Sequence, residues 1–148
     1  MDINTNQVIM LTLTELERLD PVRVILEDIE AGKGRIIITC YGKAWTAYWG
    51  GMGDQTISQF FYNAPEEYLA GNLSNISKTT TDYDAISKAI NEDVDSDSLH
   101  CHTSQLEDHY GVHWRLDLPE KENHPYTYLC RIIKAVQTAL KEIDKEGK

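Results

Sequence analysis

The chain has 148 residues, of which 41% are hydrophobic and 26% charged, a composition typical of an ordinary globular domain rather than of a disordered or fibrous chain. Its net charge of −10 repels nucleic acid backbones and anionic membranes, so neither is an expected partner. The apolar runs Val8–Leu11 and Arg35–Tyr41 are far shorter than the roughly 18 residues of a membrane-spanning helix, and Met1–Gln7 has no signal-peptide pattern.

The first elements predicted along the chain are a strand and an amphipathic helix. Val8–Thr14 is rich in apolar residues and threonine, which favours a strand. Asp20 and Pro21 suit the start of a helix, and the glycines after Ala31 suit its end. Apolar residues between them recur at a helical spacing and predict one buried face. That face consists of Val22, Ile25, Leu26 and Ile29.

A β-hairpin is predicted next. Arg35–Tyr41 is dominated by β-branched and aromatic residues, and Ala44–Trp49 continues in the same style after the short turn Gly42-Lys43. Strand alternation places Trp45 and Trp49 on one face and Tyr48 on the other. We expect the two tryptophans to pack in the core, against residues of the C-terminal helix such as Ile132 and Val136.

The remainder of the chain is predicted to be mostly helical. A strand is expected only at Val112–Leu118, where apolar and polar residues alternate. Pro125 opens the longest helix, which carries a continuous apolar stripe to about Glu146. Shorter helical segments are predicted from Asp54, at Pro65–Leu69, at Asp82–Asn91 and at Ser104–Tyr110.

These elements predict an α+β fold. We expect a small, largely antiparallel sheet with helices packed on one face and a long C-terminal helix. We expect a single domain over residues 1–148, with an acidic, loop-rich middle at about residues 74–111.

The acidic residues are concentrated in that middle. Between Thr81 and Tyr110 there are eight acids and one base, Lys88. One interpretation is a solvated loop, and the other is a surface that binds a basic protein groove, by imitating a nucleic acid backbone. The candidate partner-binding residues are Glu92, Asp93, Asp95 and Asp97, with Tyr48 of the hairpin as a further candidate.

The cysteines and histidines give weak catalytic and metal signals. Three cysteines without a signal peptide favour reduced thiols, and Cys40 and Cys130 are expected to be small buried hydrophobes. The remaining cysteine is flanked by histidine in His100-Cys101-His102, but no orienting group can be assigned to a thiol catalyst. Zinc usually takes four ligands from paired motifs, and the sequence has no such motif, so we assign no metal. We also assign no cofactor and no catalytic residue. Metal binding by His100, His102, His109 and His113 is left open.

One part of the sequence resembles a known family. The segment from Leu19-Asp20-Pro21 through the aromatic and glycine-rich block Thr39–Gly53 to Tyr68-Leu69-Ala70 is similar to small accessory proteins encoded by tailed phages and prophages, and Tyr128–Val136 is similar too. The resemblance covers about half of the chain and does not extend to the acidic middle. It implies a bacterial host cytoplasm during infection and carries over no catalytic residue. Genes of this kind often encode inhibitors or adaptors aimed at host or defence proteins, which is an association and not a mechanism.

We therefore expect a non-enzymatic, phage-encoded protein that binds and modulates or inhibits a host protein with a basic surface. Anti-defence or anti-restriction activity is the favoured form. The alternatives are a small metal-dependent or thiol enzyme and a phage assembly adaptor. Self-association into a homo-oligomer is left open.

Overall fold

Four antiparallel strands, paired in the order of the sequence, form the main sheet of this computed structural model, which describes residues 1–147. The strands are β1 (Ile9–Leu13), β2 (Val22–Glu30), β3 (Lys33–Cys40) and β4 (Lys43–Trp49). The first strand and the β3–β4 hairpin lie where the sequence predicts them. The fold class, α+β with a largely antiparallel sheet, is confirmed.

The other elements follow in the order two helices, a short strand, three further helices, a second short strand and the long final helix. A second, two-stranded sheet is formed by β5 (Thr79–Thr81) and β6 (Glu120–Glu122). The helices are α1 (Ile57–Asn63), α2 (Glu66–Leu73), α3 (Tyr83–Ile90), α4 (Thr103–Tyr110), α5 (Trp114–Asp117) and α6 (His124–Glu146). A 3-10 turn, Leu99–His102, precedes α4.

The chain divides into two compact units. The first unit comprises residues 1–76 together with the chain from Thr127 onward, and the second unit comprises Ser77–Tyr126. Each unit has an apolar core, and no polar or charged residue among residues 1–147 is buried.

The helix predicted from Asp20 to Gly34 is wrong, because this segment contains β2 and its turn to β3. Val22, Val24 and Leu26 are buried with exposed or half-buried residues between them, which is the period of a strand. The same nine residues also contain apolar positions at helical spacing, so local periodicity fits both structures. Strand pairing decides between helix and strand, because β2 is a central strand hydrogen-bonded to β1 on one side and to β3 on the other.

Helices of the first unit cover the inner face of the main sheet, which carries Val22, Val24, Ile36 and Ile38. Helix α1 approaches β3 so closely that a Cβ on Gly34 would lie 2.8 Å from Cβ of Ile57. Only glycine fits at this position. The backbone N–H of Ile57 donates to Asp28 of β2 at 2.8 Å, which fixes the start of α1 against the sheet.

The glycine-rich turn after β4 serves packing. Met52 donates its backbone N–H to Gly32 at 2.8 Å, and a Cβ on Gly32 would lie 2.8 Å from the backbone oxygen of Gly53. Gly32 and Gly53 both have positive φ, which favours glycine. The turn therefore lies directly against the β2–β3 turn, as a tight strand-to-helix connection.

The two tryptophans of β4 share the inner face, but they are not equally buried. Trp49 is buried among aromatic rings, with centroid distances of 5.1 Å to Phe60 and 6.5 Å to Tyr68, and its Nε1 donates to the Tyr68 hydroxyl at 3.0 Å. Trp45 is only half-buried. The expectation that both are core residues therefore holds for Trp49 alone, and the aromatic rings around it come from α1 and α2.

The second unit has a separate apolar core, formed by Ile86, Val94, Leu106 and Trp114. Strands β5 and β6, near the beginning and the end of this unit, pair antiparallel with each other. Next to this pair, Asn123 donates its backbone N–H to Lys78 and its side-chain amide to Ser77.

The strand predicted at Val112–Leu118 is wrong. Trp114 is buried in the core of the second unit, while Val112 and Leu116 are 76% and 85% exposed. The segment contains α5 instead. An alternating pattern needs a neighbouring strand to become a strand, and the strand pairing found in this unit joins Thr79–Thr81 to Glu120–Glu122.

We predict that Trp49→Ala lowers the free energy of unfolding by about 3–5 kcal/mol, because truncating a large core aromatic removes burial and leaves a cavity. Trp45→Ala is the matched control, since Trp45 lies on the same strand and the same face but is only half-buried. Urea unfolding measures both variants. An equal loss in the two variants would contradict the assignment of Trp49 as the core residue of this strand.

Candidate functional site

The candidate site is the segment Glu92–Asp97, here called the acidic loop. It connects α3 to the 3-10 turn, and all four of its carboxylates are exposed. Helix α3 ends at Ile90, and the left-handed conformation of its C-cap residue Asn91, with φ 55°, turns the chain out of the helix. The acidic loop therefore starts at a defined helix end.

The acidic loop is anchored at its centre by Val94, which is 4% exposed and lies in the core of the second unit. The Ser87 hydroxyl of α3 accepts the backbone N–H of Val94 at 3.0 Å. The same hydroxyl donates to the backbone oxygen of Val94 at 3.3 Å. One side chain thus satisfies both backbone groups of the anchoring residue, as burial requires.

The second half of the acidic loop is held by a reciprocal pair of hydrogen bonds. Asp95 Oδ1 accepts the backbone N–H of Ser98 at 2.8 Å and that of Asp97 at 3.0 Å. Ser98 Oγ accepts the backbone N–H of Asp95 at 3.0 Å. The hydrogen bonds from Ser98, together with that from Asp97, lower the pKa of the Asp95 carboxyl.

Asp95 therefore has a structural role that the sequence analysis missed. Aspartate side chains often accept the backbone N–H two residues on in an Asx turn, so the aspartate and serines of Asp95-Ser96-Asp97-Ser98 carry a local turn signal. The role of Ser87 had no such signal, because Ser87 meets Val94 only through the tertiary fold.

The charge of the protein is concentrated around this loop. The second unit contains eleven acids and four bases, and so carries −7 of the net charge of −10. It also contains all five histidines of the chain. The field near the acidic loop is therefore strongly negative at neutral pH.

Tyr48 belongs to the other unit from the four carboxylates. Its side chain is 51% exposed, on the outer face of the main sheet, at the register position opposite Arg35. Its hydroxyl folds towards Gly50, where an added Cβ would lie 3.2 Å away. The assignment of Tyr48 and of the four acidic residues to partner binding stays a prediction.

The histidine and cysteine candidates lie mainly in and after the 3-10 turn. Cys101 is exposed, with its Sγ 3.5 Å from Nε2 of His100. His109 packs its ring against Tyr110 at 4.6 Å. Within residues 1–147, no three His, Cys, Asp or Glu side chains are close enough together to hold a metal ion. Cys40 and Cys130 are buried, as expected.

The carboxylate of Asp95 gives a pH-dependent prediction. Because its pKa is lowered in the folded protein, its stabilising effect is present above the unfolded pKa of about 3.9 and is lost as the pH falls through the folded value. NMR titration of the Ser98 amide should therefore show a midpoint below about 3.9. A midpoint at or above that value would contradict the hydrogen-bonded geometry.

Two variants complete this test. Asp95→Asn keeps an acceptor oxygen and should abolish the titration of the Ser98 amide while preserving the turn. Asp95→Ala removes the acceptor and should speed hydrogen exchange of that amide by roughly fivefold, as loss of a capping side chain does. Equal exchange in the two variants would show that the Asp95 side chain does not hold the loop.

Comparisons with known proteins give one match. A model for a family described as a phage family matches residues 1–142. No significant match was found among the curated proteins or among the solved structures. Within residues 1–147, no helix is both long enough and apolar enough to cross a bilayer.

Proposed function

The chain belongs to this phage family, and we propose that it is a non-enzymatic binding protein that uses its acidic loop to occupy a basic groove on a host protein. Binding there modulates or inhibits that host protein in the infected bacterial cytoplasm. The form we favour is anti-defence or anti-restriction activity, in which the target groove is one that normally holds a nucleic acid backbone.

One observation carries this proposal: the acidic loop exposes four carboxylates on a backbone that is held in place. Val94 is buried and both of its backbone groups are bonded to Ser87. Asp95 and Ser98 close the following turn. A solvated spacer needs none of these contacts, whereas a preorganised binding loop loses less conformational entropy on association.

The charge of the second unit favours a basic protein as the partner. A unit with a net charge of −7 is repelled by phosphates, so it fits a surface rich in lysine and arginine. Grooves that bind DNA or RNA are surfaces of that type. Complementary charges of this kind raise the association rate and suppress wrong partners more than they raise affinity.

A thiol enzyme is the alternative that a specific observation favours. The 3.5 Å distance between Cys101 Sγ and His100 Nε2 juxtaposes a thiol and an imidazole on an exposed turn. A reactive thiolate would be recognised by its reactivity, because the thiolate and not the thiol is the nucleophile. Alkylation of Cys101 at pH 6 far faster than that of a free cysteine would favour the enzyme.

The binding proposal is tested by capturing a partner from host lysate and measuring its association with the wild type and with a loop variant. The variant combines Glu92→Gln, Asp93→Asn, Asp95→Asn and Asp97→Asn, and the amide introduced by Asp95→Asn keeps an acceptor oxygen for the turn. We predict that its association rate falls by roughly tenfold at low salt while its thermal stability changes little. The wild-type rate should fall as salt rises, because the Debye length decreases from about 10 Å at 0.1 M to about 3 Å at 1 M.

A matched control separates the acidic loop from net charge. Asp2→Asn, Glu17→Gln, Glu67→Gln and Glu142→Gln neutralise four exposed acids of the first unit and change the net charge by the same amount. We expect this control to associate nearly as fast as the wild type. If the loop variant keeps the wild-type rate and salt dependence, the acidic loop is not the binding surface, and Tyr48 becomes the next residue to test.

A further inference from the structure

The first unit contains an open groove between its sheet and its helices. Strands β1 and β2, the start of α1 and the C-terminal end of α6 enclose about 470 Å³ between Ile9, Ile57 and Ile143. This space is here called the α6 groove. Its volume is within the range of about 300–1,000 Å³ that is typical of small-molecule sites.

The walls of the α6 groove are mainly apolar. Leu26, Ile57 and Leu140 line it and are buried or nearly buried in the core of the first unit. Ile9 and Ile143 also line it, and they are 63% and 45% exposed. Water therefore contacts apolar surface in the groove, and a ligand with an aliphatic chain would remove that surface from water.

The charged side chains that line the α6 groove are acidic. They are Asp28 of β2 and Asp144 of α6, and no lysine, arginine or histidine of residues 1–147 lines the groove. Asp28 Oδ1 accepts the backbone N–H of Ile57 at 2.8 Å, and Asp144 Oδ2 accepts the Tyr62 hydroxyl at 2.7 Å. These hydrogen bonds hold both carboxylates in place beside the apolar walls.

Asp28 retains the capacity to bind a cation. It forms no ion pair with any side chain of residues 1–147. An ionised carboxylate has about four acceptor sites, so the hydrogen bond from Ile57 leaves others for a further donor.

We propose that the α6 groove binds a small amphipathic cation, an aliphatic ammonium compound. Its chain lies against Ile57 and Ile143, and its ammonium group donates to Asp28. Charge complementarity selects this class of ligand. An uncharged aliphatic ligand would cover the carboxylates without pairing them, which is costly, and an anionic one would be repelled by them and by the net charge of −10.

This site is separate from the proposed binding of a host protein. Every residue that lines the α6 groove belongs to the first unit, whereas the acidic loop belongs to the second. The two proposals can therefore fail independently.

Hexylammonium chloride is a suitable probe, because it joins an aliphatic chain to a single ammonium group. Methyl NMR of the full chain measures its binding. We expect saturable shifts of the Ile57, Leu140 and Ile143 methyl signals, with a dissociation constant of about 1 mM or tighter. Hexanol and hexanoate have the same chain without the positive charge, and we expect both to bind at least roughly fivefold more weakly.

The chain offers matched variants for both halves of the ligand. Asp28→Asn keeps an acceptor oxygen for Ile57 but removes the charge, and should raise the dissociation constant by about fivefold. Its control is Glu142→Gln, because Glu142 is an exposed acid of α6 that does not line the groove. Ile143→Ala should also weaken binding, whereas Ile29→Ala should not, since Ile29 is 42% exposed but lies outside the groove. Circular dichroism verifies that all four variants are folded.

Three results would overturn the proposal. The first is a set of methyl shifts that stays linear up to about 20 mM hexylammonium, since binding that weak is not a site. The second is binding of hexanol or hexanoate as tight as that of hexylammonium, which would remove the role of charge. The third is an equal effect of Asp28→Asn and Glu142→Gln, which would assign the attraction to the net charge of the protein rather than to the groove.

Discussion

Burial of Val94 is the interaction on which the candidate site depends. It is the only apolar side chain between Glu92 and Asp97, and it lies in the core of the second unit. Burying a valine contributes about 1.5–3 kcal/mol, which offsets part of the chain entropy lost in ordering a short loop and part of the repulsion among its neighbouring carboxylates. Without this anchor, four like charges in six residues would favour an extended and variable segment. With it, the carboxylates become a fixed feature of the surface.

The same separation of apolar and charged groups organises both units. No polar or charged residue among residues 1–147 is buried, so every carboxylate in this range lies at or near the surface. In the first unit, the sheet and helices bury a core and leave an uncharged edge at β1. The second unit has a small core of four buried residues, and its surface carries most of the net charge of the protein. The two units thus offer chemically different surfaces, because most of the net charge lies on the second unit and β1 of the first unit carries no charged residue.

Several elements could be predicted from local sequence, and the failures have a physical cause. The β3–β4 hairpin and α6 carry strong periodic patterns, and their predictions are confirmed. The apolar residues of β2 fit both a helical and a strand period, and only pairing with two neighbouring strands selects the strand. The exposed position of the acidic loop follows from its composition. The hydrogen bonds that hold it do not all follow, because the contact of Ser87 with Val94 depends on the fold of the second unit, whereas the Asp95–Ser98 turn has a local pattern.

Backbone dynamics of the acidic loop report directly whether Val94 and the Asp95–Ser98 turn hold the loop in place. The measurement is ¹⁵N NMR relaxation of the full chain, compared between Asp93–Ser98 and the buried residues of the second unit. We predict order parameters of about 0.85 for the Val94 and Ser98 amides, as in a rigid backbone, and a decrease at Val94 in Ser87→Ala. Order parameters below about 0.6 throughout Asp93–Ser98 in the wild type would contradict this prediction, because the segment would then be a flexible solvated loop.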